Sequence, residues 1–166
     1  MSEDPYDIRM IKPEEVYFSR GPGGVFQGVL DQLTYSELVV YRAFPFVYTM
    51  EYISIRDTKG DELGIVRDIR DLDEESAKEL ERELQFRYFL PRVTRVDNVK
   101  QKSDLWIWEL QTNLGLTRIA MRNLHEFMQF PGGNRIILTD INGKRCEITD
   151  WLALDNHSRM QLSDVI

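Results

Sequence analysis

Three arginines stand close together in the run RYFLPRVTRV, in a chain whose 28 acidic residues outnumber its 21 lysines and arginines. They are Arg87, Arg92 and Arg95. A guanidinium group offers planar, two-pronged hydrogen-bond donors that suit carboxylates and phosphates. The cluster therefore predicts a site for a small anionic ligand or an acidic partner. The competing interpretation is that these side chains only neutralise nearby glutamates and a helix C-terminus.

Two tryptophans follow the arginines in the segment DLWIWEL. Trp106 and Trp108 stand two residues apart, so in a strand their side chains share one face. Core packing is the simpler explanation of such a pair, and an aromatic wall beside a ligand is the alternative. We include Trp108 with the three arginines in the predicted ligand-binding set.

The residues that most often carry catalysis or bind metals are few. The two histidines, His125 and His157, match neither of the H-x-x-x-H and H-E-x-x-H spacings of zinc sites, and there is no G-x-S-x-G motif. The single cysteine, Cys146, excludes an internal disulfide and a cysteine-rich metal site. The sequence thus predicts no catalytic residues, no metal and no cofactor. His125 beside acidic residues keeps open the alternative of a hydrolase that acts on Arg/Asp-containing peptides.

Two stretches of the chain, starting at Tyr52 and at Arg135, are similar to each other. Asp57 then aligns with Asp140, and a glycine follows three residues later in both copies. Each copy reads as a strand, a D-x-x-G turn, a second strand and a capped helix start. The aspartate can accept main-chain N–H groups and the glycine accepts a positive φ, so both turns are predicted to be structural. Binding of a cation or phosphate by the two acidic turns is the alternative.

The same alignment places Cys146 opposite Leu63. Alternation along the strands predicts that Ile53, Ile55, Leu63 and Ile65 share one inward face. We therefore expect Cys146 to be a small buried side chain and not a nucleophile. A true duplication and two independently similar hairpins both explain the alignment.

The remaining pattern indicates an α+β fold made mainly of antiparallel strands. Residues 1–13 read as a loose N-terminal lead-in, and residues 14–166 as a single domain. One long helix is predicted to begin after Asp73, its N-cap, and to end before Pro91. A short helix follows at the C-terminus, and Pro45 is predicted to end the pairing of a strand.

Charge and hydropathy exclude several classes of function. The net charge of −7 disfavours nucleic acids and anionic membranes as partners. No apolar run approaches the roughly 20 residues that a membrane span needs. The acidic start MSEDPYDIRM lacks the basic and apolar regions of a signal peptide. We expect a cytoplasmic protein that is not inserted in a membrane.

Six segments occur in an order that resembles an uncharacterised bacterial domain family. They are RAFPF, YISIRDTKGDELG, LERELQFRYFLPRVTRV, WELQTNLG, RIILTDINGKRCEI and LDNHSRMQL, and the resemblance runs from about Val16 to the C-terminus. Members of that family occur alone or behind ABC-transporter ATPase chains, and stand-alone members are associated with genes of cyanophycin metabolism. The resemblance implies an accessory or ligand-binding role and carries over no catalytic residues. Asn113 and Leu114 depart from the family pattern, which has an acidic and a basic residue there.

The sequence therefore predicts a non-catalytic accessory domain that binds a partner protein or a small anionic ligand. The resemblance links this domain to an ABC-type transporter or to cyanophycin metabolism. The hydrolase named above and a purely structural homo-oligomer are the alternatives.

Overall fold

The computed structural model describes residues 8–44 and 47–166, and within them antiparallel strands predominate. The strands form three-stranded antiparallel sheets, each a meander of three strands consecutive in the chain. In chain order they are β1 (Val16–Arg20), β2 (Phe26–Leu30), β3 (Leu33–Tyr35), β4 (Val39–Arg42), β5 (Glu51–Arg56), β6 (Glu62–Asp68), β7 (Val93–Lys102), β8 (Leu105–Thr112), β9 (Gly115–Met121), β10 (Met128–Gly132), β11 (Arg135–Thr139) and β12 (Arg145–Ile148). The helices are α1 (Glu74–Tyr88), α2 (Leu124–Phe127) and α3 (Asn156–Ser163). The fold is therefore α+β and mainly antiparallel, as predicted.

The chain divides into two compact units. The first unit comprises the described residues of Met1–Gly21 and Phe26–Leu84. The second comprises Pro22–Val25 and Gln85–Ile166. The division falls within α1, and two of the sheets belong to each unit.

The D-x-x-G turn of the first unit connects β5 to β6. The Asp57 carboxylate accepts main-chain N–H groups from Lys59 at 2.9 Å and from Asp61 at 3.0 Å. Gly60 has a φ of +94°, a conformation that costs glycine little because it has no Cβ. The predicted turn chemistry is confirmed at this position.

The second unit has the same turn between β11 and β12. The Asp140 carboxylate accepts main-chain N–H groups from Asn142 at 2.7 Å and from Ala120 at 2.8 Å. Gly143 has a φ of +90°. Asp140 is buried, so its carboxylate lies within the fold and is engaged by main-chain donors.

Strand pairing corrects the alignment near Cys146. Ile55 pairs with Gly64, and Leu138, at the position equivalent to Ile55, pairs with Cys146. Cys146 therefore corresponds to Gly64, and its predicted equivalence with Leu63 is wrong. The register of β5 and β6 shifts next to Ile55, where a β-bulge places Leu63 as an extra residue.

The bulge also changes which residues of β6 face inward. Gly64 and Val66 are buried, whereas Leu63 and Ile65, predicted to face inward, are only half-buried. One extra residue reverses every later side chain of a strand because the side chains alternate between faces.

The first described residues pair with β6. Met10 forms an isolated parallel bridge with Ile65. The Ile11 main-chain N–H donates to the Ile65 carbonyl at 2.8 Å, and the Ile65 N–H donates to the Arg9 carbonyl at 2.8 Å. These main-chain hydrogen bonds connect Arg9 and Ile11 to β6. Residues 1–7 lie outside the described residues, as does Pro45 with its predicted effect on strand pairing.

Helix α1 is capped as predicted but buries charges that were not predicted to be buried. The Asp73 carboxylate accepts the Ser76 main-chain N–H at 3.0 Å. Glu79 and Glu83 are buried on the first turns of α1 that belong to the first unit. The Arg20 guanidinium binds them at 2.7 Å and 2.6 Å respectively. Pairing with hydrogen bonds offsets the cost of burying these charges.

Candidate functional site

Arg95, in β7, is held between two carboxylates. Its Nε lies 2.8 Å from Asp97 Oδ1, and its Nη1 lies 3.2 Å from Asp155 Oδ2. A hydrogen bond from the Ser158 hydroxyl and the charge of Arg95 lower the pKa of the Asp155 carboxyl, against the opposing effect of burial. The Arg95 guanidinium is therefore already ion-paired with acidic groups of its own chain.

Arg87, in the last turn of α1, lies against the second D-x-x-G turn. Its Nη2 donates a hydrogen bond to the main-chain oxygen of Asn142. A Cβ added at Gly143 would lie only 2.7 Å from Arg87 Nη1. This arginine contacts the turn closely and contributes to its packing.

Arg92 lies at the surface just before β7. Its main-chain N–H donates to Asn113 Oδ1 at 2.7 Å, and its main chain forms a parallel bridge with Glu147. Within residues 8–44 and 47–166, no ion pair or hydrogen bond engages its guanidinium. Of the three predicted arginines, Arg92 is thus the one whose side chain has the most freedom to receive an anion.

Trp108 lies in the hydrophobic core of the second unit with no exposed surface. Its indole Nε1 is buried and has no hydrogen-bond partner among the described residues. Trp106 is half-buried and packs against the same core. The Trp108 ring does not lie on the surface where Arg92 is exposed.

Cys146 and the histidines occupy contrasting positions. Cys146 has no exposed surface, as predicted, and burial raises the pKa of its thiol to about 12. His157 Nε2 lies 2.7 Å from the Asp97 carbonyl oxygen, and His125 is exposed on α2.

The described part of the chain holds no group of three or more metal-ligating side chains. Nor does it contain a helix with the length and apolar character needed to cross a membrane.

A cleft of about 460 Å³ opens in the first unit, at a place that the sequence did not indicate. Its main lining consists of three aliphatic side chains and three aromatic ones. They are Ile8, Met10, Ile65, Phe44, Tyr48 and Tyr52. We call this feature the aromatic cleft.

The three rings of the aromatic cleft pack edge to face. Their centroids are 5.6 Å apart for Phe44 and Tyr48, 5.5 Å for Phe44 and Tyr52, and 5.7 Å for Tyr48 and Tyr52. This geometry is favourable for aromatic pairs and leaves no room for a ligand between the rings. Phe44 and Tyr48 remain 49% and 45% exposed, so a ligand would lie on the outside of the ring cluster.

Tyr52 has an unusual backbone for a bulky residue, with a φ of +55°. Its main-chain oxygen accepts the Ala43 N–H at 3.0 Å, and its hydroxyl accepts a hydrogen bond from Arg67 Nε at 3.1 Å. The Arg67 guanidinium carbon lies 5.3 Å from the centre of the Tyr52 ring. Strained backbone concentrates at functional sites, and here it coincides with an exposed aromatic surface.

The connection that carries these aromatic residues is longer than one in the second unit. Its strands β10 and β11 pair from Gly132 to Arg135, so a turn of two residues joins them. In the first unit, eight residues lie between Arg42 and Glu51, in the connection of β4 to β5, and they include the exposed rings of Phe44 and Tyr48. The aromatic residues of this connection are the sequence signal that could have indicated the site.

The sequence model of one protein family matches residues 35–165, more than three quarters of the chain. That family is described as a domain of unknown function, DUF1854. No curated protein and no solved structure matches the chain.

Proposed function

Because the chain belongs to the DUF1854 family, whose description assigns no activity, we propose from its surface that it is a non-catalytic accessory domain that binds a partner protein. The observation that carries this proposal is the exposure of large apolar side chains around the aromatic cleft. The exposed fractions are 65% for Ile8, 49% for Phe44, 73% for Val47 and 45% for Tyr48. Contiguous exposed apolar surface of this kind is typical of interaction sites, and aromatic residues dominate their energetics.

The identity of the partner follows from the family resemblance alone. It points to an ABC-type transporter or to a protein of cyanophycin metabolism. The alternative of a small anionic ligand is supported by Arg92, which is exposed and whose guanidinium has no ion pair or hydrogen bond among the described residues.

We also infer that the two units are copies of one unit. In the first, the Ser76 hydroxyl accepts the Phe18 main-chain N–H at 2.8 Å, and in the second the Ser158 hydroxyl accepts the Val96 N–H at 2.8 Å. The hydrogen-bonded D-x-x-G turns match in the same way. If the units are copies, the long β4–β5 connection is a later departure from their common pattern, which favours a function for it.

The test of partner binding is affinity capture from an extract of the native host. Phe44→Ser removes a ring of the cleft that is 49% exposed, and Phe130→Ser removes a comparably exposed ring, at 56%, from β10 as the matched control. We expect Phe44→Ser to lose a protein that the wild type and the control both retain. Recovery of the same proteins by all three chains would contradict the proposal.

The anionic-ligand alternative is tested in the same experiment with Arg92→Gln at two salt concentrations. A capture that weakens with salt and disappears in Arg92→Gln would move the binding site to Arg92. A self-associated chain with no captured protein would instead favour the structural homo-oligomer, and gel filtration detects it.

A further inference from the structure

Arg67, at the edge of the aromatic cleft, has hydrogen-bonding capacity that the described residues do not use. We propose, on the basis of the function proposed above, that the cleft recognises a segment of the partner protein in which an aromatic or aliphatic side chain stands next to a carboxylate. The apolar side chain contacts the ring cluster, and Arg67 receives the carboxylate.

Arg67 supplies positive charge at the cleft, and the two acidic residues near it among those described are bound by another arginine. Arg70 Nη2 lies 2.7 Å from Asp68 and 3.5 Å from Glu51. Those two carboxylates attract Arg67 only from a greater distance, and its Nε is used by the Tyr52 hydroxyl. In the described part of the chain its two Nη groups make no ion pair, so they can bind a carboxylate with two parallel hydrogen bonds.

Tyr52 places its hydroxyl group beside the Arg67 guanidinium. Its hydroxyl oxygen accepts from Arg67 Nε, which leaves the hydroxyl hydrogen for an oxygen of the incoming carboxylate. The guanidinium also lies over the Tyr52 ring, and this contact together with the hydrogen bond fixes its position. Two donors thus converge on one side of the ring cluster.

The size and lining of the cleft fit the apolar part of such a segment. About 460 Å³ is within the ~300–1,000 Å³ of small-ligand sites, and apolar walls with a few converging polar groups are their usual composition. The aliphatic wall of Ile8, Met10 and Ile65 excludes water from the apolar side chain. An acidic group without an apolar neighbour would gain only the exposed contact with Arg67.

The test uses methyl NMR, because three residues of the cleft carry reporter methyl groups. The probes are N-acetylphenylalanine, which has the carboxylate, and N-acetylphenylalanine amide, which is its neutral match. We expect both probes to shift the methyl signals of Ile8, Met10 and Ile65 and to leave the exposed Met160 and Ile166 unchanged. The acid should bind about two- to fivefold more tightly than the amide at low salt, the range of an exposed ion pair.

Two variants then test whether Arg67 is the residue that binds the carboxylate. Arg67→Gln should make the two probes equal in affinity, whereas Arg70→Gln, which changes an already paired arginine, should preserve the difference. Equal affinity of the two probes for the wild type, or a preference for the acid that survives in Arg67→Gln, would overturn the inference.

If neither probe shifts the cleft methyl groups but Phe44→Ser still loses the partner, the inference fails and the proposed function stands. If the probes behave as expected but Phe44→Ser retains every captured protein, the proposed function fails by itself.

Discussion

A methyl group added at Gly143 should reduce stability more than the same group added at Gly60. The two glycines occupy the same position of the two D-x-x-G turns and have nearly equal φ values of +90° and +94°. Alanine in a left-handed conformation costs about 1–2 kcal/mol, and this cost is common to both sites. At Gly60 nothing lies within 4 Å of the added Cβ, so we expect no further cost.

At Gly143 the added Cβ would lie 2.7 Å from Arg87 Nη1 and 3.4 Å from its Cζ. The guanidinium must move, which disturbs its hydrogen bond to the Asn142 carbonyl. A hydrogen bond to a charged group contributes about 1.5–3 kcal/mol when it is lost completely. Because the flexible end of an arginine can shift and keep part of this bond, we expect an additional cost of about 1 kcal/mol.

Urea denaturation followed by far-UV circular dichroism measures the free energy of unfolding of each variant. Gly143→Ala is measured both in the wild type and in an Arg87→Ala background, with Gly60→Ala as the matched control. The additional cost should disappear when Arg87 is absent, since residues in contact are not additive. Equal costs for the two glycines in the wild type, or an additional cost that persists in the Arg87→Ala background, would refute this account of the turn.

Three further predictions concern other parts of the chain. Gly24→Ala should cost about 1–3 kcal/mol more than Gly23→Ala in urea denaturation. Both glycines have a φ above +70°, but only the Cβ added at Gly24 would overlap the main chain of β9. Equal costs would show that β9 moves aside without strain. Cys146 should not react with a thiol reagent in the native protein and should react once in denaturant, because burial raises its pKa to about 12; rapid native labelling would contradict this. The Asp155 carboxyl has a lower pKa folded than unfolded, so its contribution to stability is present above the unfolded value of about 3.9 and is lost as the pH falls through the folded value. Asp155→Asn should therefore flatten the loss of stability in thermal melts below about pH 4, and an unchanged acid profile would argue against the Ser158 hydrogen bond as its cause.

Local chemistry made the turns and the helix cap predictable. A glycine three residues after an aspartate predicts a positive φ, and Gly60 and Gly143 both have one. The bulge at Leu63 was not predictable, because it depends on which residues pair across the sheet. The burial of Glu79 was also not predictable. Its charge can be buried because it is ion-paired with Arg20, which is far away in the sequence.

The candidate site was even less predictable from the sequence than the fold. Arg87, Arg92 and Arg95 are neighbours in the sequence, and the structure gives each of them different surroundings. The aromatic cleft instead joins three separate segments, represented by Met10, Phe44 and Ile65. Proximity in the sequence predicts a surface only when the residues lie on one element, and here Arg87 lies in α1, Arg95 in β7 and Arg92 between the two.

The distribution of aromatic residues gives the two units different optical properties. The three tryptophans of the chain, Trp106, Trp108 and Trp151, all belong to the second unit. The buried Trp108 indole, which lacks an acceptor among the described residues, should emit at the short-wavelength end of tryptophan fluorescence and shift to longer wavelength on exposure to water. Tryptophan emission thus reports the unfolding of the second unit, whereas circular dichroism records both. A lag between the two signals in one titration would measure how far the units melt independently.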